Sequence, residues 1–132
     1  MSSTAIKFEE TVTTAKSFEE AVEAVTSEVA KAGFRVQHIH DVQATFREKG
    51  SERDPYKIIE VCNIKYAKKA LDIDPLVGLM MPCKINVYED KGETKISLML
   101  PSAMSLFFPH AGLEPVADEV EGILRQVIEA AR

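Results

Sequence analysis

The chain has 132 residues, of which 45% are hydrophobic and 28% charged, with a formal net charge of −5. That balance rules out a disordered or fibrous protein, and the net acidity argues against nucleic acid as a partner, because phosphate binding needs a clustered basic face. The length is that of one domain, residues 1–132, which hides roughly two thirds of its unfolded surface on folding.

The first fourteen residues hold no apolar run of the signal-peptide kind, and no apolar stretch is long enough to cross a bilayer. The expectation is a cytoplasmic protein, neither exported nor membrane-inserted. Charge is uneven: residues 31–70 carry nine Lys/Arg against five Asp/Glu, residues 1–30 two against six. Lys65, Lys68 and Lys69 make either a modest basic patch or the solvated face of a short helix.

In chain order, Ile6, Phe8 and Val12 occupy even positions in AIKFEETVTT, which predicts a half-buried strand. Ser17 followed three residues later by Glu20 is a capping box. Phe18, Val22, Val25, Val29 and Ala32 then recur at helical spacing, and Gly33 suits the left-handed residue after a helix. Phe34 to Asp41 is a predicted strand with Phe34, Val36, His38 and His40 on one face. ATFREKGSERDP reads as a polar loop with at most one turn of structure. Tyr56–Cys62 is a strand by its β-branched content, and Asn63 can N-cap a short helix ending at Asp74-Pro75. Pro82 to Glu89 and Glu93 to Leu100 form a hairpin joined by Asp90-Lys91-Gly92. PSAMSLFFPHAG is irregular, and the last helix begins near Pro115 with Val116, Val120, Ile123, Val127 and Ala131 turned inward. Because a tight hairpin is antiparallel, the order predicts an α+β fold: an antiparallel or mixed sheet with helices on one face.

Several of these pieces together carry a resemblance. A Gly-Phe pair before a strand, then DVQATFREKG, Cys62-Asn63 opening a helix, a turn with Asp-Pro, and GLMMPCKINVYE resemble the domain of unknown function 302 family over nearly the whole chain. The resemblance implies a small α+β domain with a curved antiparallel sheet, similar in layout to TATA-binding-protein-like domains. It implies little about activity. One departure is Ile64, where the family usually has proline; proline there assists a helix start and adds no chemistry.

The only cysteines, Cys62 and Cys83, lie twenty-one residues apart, a spacing that matches no standard zinc pattern. Three readings stand. They are structural thiols, since free cysteine is among the most buried residue types. They line one pocket as ligands of a metal or cofactor. Or Cys62, near a helix N-terminus and Lys65, has a lowered pKa and does redox or sulfur-transfer chemistry. His38 and His40, two apart on a strand, fall roughly 6.5–7 Å apart on one face and are candidate metal ligands with His110 as a third.

No dinucleotide, Walker, serine-hydrolase or HExxH motif is present, and the adjacent pairs Glu9-Glu10 and Glu19-Glu20 diverge too far for acid/base partnership. Nothing requires an enzyme, and no cofactor is named. Residues 98–108, with Leu79, Met80 and Met81, hold a surplus of apolar side chains outside any clean periodicity. They fill the core beneath a long loop, form a subunit interface or wall an apolar pocket. The leading expectation is a small binding or accessory protein, homodimeric, with a ligand site of Cys62, Asn63, Cys83, Met104, Phe107 and Phe108. Thiol chemistry at Cys62 and a purely structural interaction module are the alternatives.

Overall fold

The capping box opens the first helix: Ser17 Oγ accepts the Glu20 N–H at 3.2 Å, and Glu20 Oε1 accepts the Ser17 N–H at 3.0 Å. This helix, α1 (Phe18–Lys31), follows strand β1 (Glu9–Thr14). Gly33, at φ 82, turns the chain out of it into β2 (Arg35–Asp41). The computed structural model describes residues 6–108 and 112–132. The remaining elements are α2 (Val42–Glu48), β3 (Tyr56–Cys62), α3 (Ile64–Ile73), a 3₁₀ segment (Pro75–Met80), β4 (Cys83–Asp90), β5 (Glu93–Met99), α4 (Pro101–Ser105) and α5 (Leu113–Ala131). Among the described residues, no helix is long and apolar enough to cross a membrane.

The sheet order is β1-β5-β4-β3-β2 and every pairing is antiparallel, so the fold is α+β with no mixed pairing. Strands β2 to β5 form a meander, and β1 closes the far edge beside β5. The hairpin between β4 and β5 turns on Lys91 (φ 53) and Gly92 (φ 82), two consecutive left-handed residues, as a tight I′-type connection requires. Strands β1 and β2 point the same way at opposite edges, four strand spacings apart, or roughly 19 Å. The fourteen residues of α1 extend roughly 21 Å and so cross the sheet from one edge to the other.

The core follows from period-2 alternation on the three central strands. Ile59 and Val61, Ile85 and Val87, and Ile96 and Leu98 have no exposed surface. Ala21, Val25 and Val29 of α1 and Leu124, Val127 and Ile128 of α5 cover them in one cluster. At about 25 cal/mol per Å² of apolar surface removed from water, this layer is the main source of stability.

The structure corrects five expectations. Ile6 and Phe8 are exposed, because the first strand starts only at Glu9. The loop after β2 is instead helix α2, capped by Asp41 Oδ1 accepting the Ala44 N–H at 3.0 Å; it buries no side chain, so it has no apolar stripe to read. Residues 101–105 form a turn of helix begun by Pro101. Helix α5 starts at Leu113, and its inward stripe runs through Ala117, Leu124 and Ile128 as well as Val120, Val127 and Ala131, leaving Val116 and Ile123 half-buried.

The fifth correction is in β2. Val36 pairs with Val61 and Ile39 with Ile59, so a bulge between Val36 and His38 inserts one residue. One extra residue reverses every later side chain. Val36 stays on the core side, whereas His38 and His40 go to the sheet's uncovered face.

Candidate functional site

Where β3 and β4 leave the central core, Cys83 opens β4 opposite Val61 and shares that residue's core-facing side. Cys62 ends β3, one residue before α3. Between them Asn63 caps the helix, its Oδ1 accepting the Lys65 N–H at 2.9 Å while its Nδ2 donates to the Gly33 carbonyl at 3.1 Å. One amide side chain therefore ties the end of α1 to the start of α3. Helix α3 is held to α5 by Tyr66, whose hydroxyl donates to Glu119 Oε1 at 2.9 Å.

These constraints leave a cavity of about 90 Å³ among α3, the 3₁₀ segment, α4 and α5, with Cys62 and Cys83 in its lining. It is a seam. Phe34, Val61, Tyr66, Cys83 and Val120 come to it from the main core, whereas Ala70, Val77, Met81, Phe108 and Leu113 belong to a second, smaller apolar cluster. Nearly all of the lining is hydrocarbon and sulfur; Asn63, Ser105 and the Tyr66 hydroxyl are the polar exceptions.

Of the residues singled out in the sequence, Cys62, Asn63, Cys83, Met104 and Phe108 line this one cavity. Phe107 does not: its side chain is 73% exposed, pointing away as the chain turns after α4. Sequence reasoning missed Tyr66, Val116, Ala117 and Val120. They look like ordinary stripe residues, and only the packing of α3 against α5 brings them to the cavity.

Burial decides the protonation of both thiols. It pushes Cys62 up from its ordinary value, opposite to the lowering expected from a helix N-terminus. The cause is the loss of solvent around the sulfur. Cys83 is pushed up to about 11, first by burial and then by the charge of Cys62, with Lys84 opposing. Two protonated, apolar thiols are poor nucleophiles, which counts against redox or sulfur-transfer chemistry led by Cys62.

The histidines form a separate feature. The rings of His38 and His40 lie 6.1 Å apart on the edge strand, with Glu60 opposite His38 in register. His110 lies outside the described residues. Among the described residues no three His, Cys, Asp or Glu side chains group closely enough to hold a metal ion. Elsewhere on the uncovered face, the Thr11, Ser97 and Tyr88 hydroxyls are linked at 2.7 Å each, and Asn86 Nδ2 donates to Tyr56 Oη at 2.9 Å. They lie in a depression of about 370 Å³ that Phe8 and Met99 also line. Asn86 Oδ1 is buried there without a hydrogen-bond partner among the described residues; the cavity beside the cysteines is the one that gathers the residues singled out in the sequence.

The comparisons with known proteins agree with this architecture. A crystal structure of the uncharacterized conserved protein DUF302 from Bacillus stearothermophilus is similar at TM-score 0.92 and 30% identity, over 96% of this chain and 100% of that one. No curated protein matches. The family model described as Domain of unknown function DUF302 matches residues 10–131. From the capping box of α1 to the end of α5, the chain belongs to the DUF302 family.

Proposed function

We propose that this protein is a binding protein that takes a small apolar ligand into the cavity between α3, α4 and α5. The observation that carries the reading is the cavity itself: about 90 Å³, walled by hydrocarbon and sulfur with two thiols at one side. At roughly 10–15 Å³ per water-sized probe, this is room for about six to nine water-sized groups. An apolar cavity of this kind favours an apolar guest. Methionine suits such a wall, because its unbranched thioether repacks around different shapes.

The test is titration with toluene or indole, following the methyl signals of Met80, Met81 and Met104 by NMR. Saturable shifts at all three are expected, and they disappear in Ala117→Leu, which fills the cavity from α5. Absence of any saturable shift overturns the reading.

A second reading concerns self-association. Leu79 and Phe107 are 84% and 73% exposed, and Leu76 and Leu106 are also exposed, on the two segments that flank the cavity. Exposed apolar groups concentrated in this way mark an interaction surface, and a homodimer through these segments is the partner we infer. Mass measurement by light scattering on Leu79→Asp/Phe107→Asp is expected to give a monomer where the unaltered chain gives a dimer. A monomeric unaltered chain sinks it.

A further inference from the structure

The cavity is rich in one element. The chain contains five methionines and two cysteines, and Met80, Met81, Met104, Cys62 and Cys83 all line this single cavity. Spread evenly, seven sulfur side chains would place about one among its twenty lining residues. The sulfurs come from three places in the chain: Cys62 at the end of β3, Met80, Met81 and Cys83 in the stretch that joins the 3₁₀ segment to β4, and Met104 in α4.

Resting on the reading of this cavity as the binding site, we propose that its sulfur-lined part takes a soft monovalent metal ion, the cuprous ion or its chemical analogue silver(I). The ion would be held by one cysteine thiolate together with methionine thioethers. Soft thiolate and thioether ligands select such ions, whereas zinc takes thiolate, imidazole or carboxylate, usually four of them. Charge balance points the same way. One thiolate and one monovalent cation make a neutral pair, which an apolar cavity tolerates, whereas an unbalanced charge there is costly. Binding replaces the S–H bond of one cysteine with a sulfur–metal bond and releases one proton to solvent. The thioethers lend lone pairs without losing a proton, and no electron is transferred.

The experiment is anaerobic titration of the reduced protein with silver(I) and with copper(I) buffered by a competing chelator, read by native mass spectrometry, with zinc in parallel. The expected result is one ion retained per chain, one proton released per ion, and no zinc retained. Met80→Leu and Met104→Leu, which keep the apolar volume, are each expected to weaken retention at least tenfold without lowering the melting temperature of the metal-free protein. Cys62→Ser/Cys83→Ser is expected to abolish it. Two silver ions per chain, unaffected by either methionine change, would mean ordinary thiol reaction and overturn the proposal, as would no retained ion or retention by the double serine variant. A protein that binds toluene and ignores both ions loses this inference alone. One that holds the ion and ignores toluene loses the apolar-ligand reading alone.

Discussion

Under α1 and α5, Val25, Val29, Ile59, Ile85, Ile96, Leu98 and Leu124 have no exposed surface, whereas the second apolar cluster, beside the cavity, is built on Ala70, Val77 and Leu113, each of which keeps a little exposure. The first region is built from regular strands and two long helices whose stripes interlock. The second is built from a short helix, a 3₁₀ segment and a turn of helix, and keeps Leu76, Leu79, Leu106 and Phe107 in solvent. Regular elements pack to crystal-like density, where removing a side chain leaves a hole the surroundings cannot close. Short elements meet less completely, and the remaining space is where a ligand can enter. One part of the molecule is tightly packed, and another leaves a cavity.

The largest test of that contrast is Ile85→Ala. At a site with no exposure it is expected to destabilise by about 4 kcal/mol, measured by urea unfolding. A loss under about 1.5 kcal/mol would mean the main core is looser than described.

Next comes pH. Cys83 is held at about 11 against an ordinary value of 9.0, so the folded state binds its thiol proton more tightly than the unfolded chain. This contribution is complete below about pH 9 and is lost as pH rises to about 11; two units amount to about 2–3 kcal/mol. Denaturation curves from pH 8 to 11 should fall, and Cys83→Ala should flatten that fall. An unchanged slope in the variant would place Cys83 in a more solvated setting.

Asn63→Ala removes both the α3 cap and the bond to Gly33, with an expected cost of about 1–2 kcal/mol by thermal melting. Val77→Ala sharpens the comparison from the other side. Its site already borders a void, so a loss of only about 1 kcal/mol is expected. A cost approaching that of Ile85→Ala would show the second cluster to be as tightly packed as the first. Smallest of all, Phe107→Asp should change the stability of the isolated chain by no more than about 0.5 kcal/mol, since the ring is exposed.

How far the sequence could be read follows from which physical signals are local. The capping box at Ser17 and Glu20, the asparagine cap at Asn63, the end of α3 before Asp74-Pro75 and the turn at Lys91-Gly92 each rest on chemistry within four residues, and each appears as the spacing predicts. Helix α2 was illegible because it buries nothing, so it lacks the apolar stripe by which helices announce themselves. The face of His38 and His40 was misread because a bulge shows only when the partner strand is present: the count against Val61 and Ile59 reveals the extra residue.

The candidate site divides the same way. That Cys62, Cys83, Met104 and Phe108 were worth attention was visible from their position at element ends and in an apolar stretch without period. That they share one cavity, that Phe107 faces solvent, and that the Cys62 thiol is raised rather than lowered were not. Those outcomes depend on how α3 and α5 pack over the ends of β3 and β4, which sets burial. Periodicity and capping act along the chain, so the sequence by itself determined the elements, the α+β class and the inward faces of the central strands. Cavities, protonation and neighbouring sulfurs arise between segments distant in sequence, and only the tertiary structure decided them.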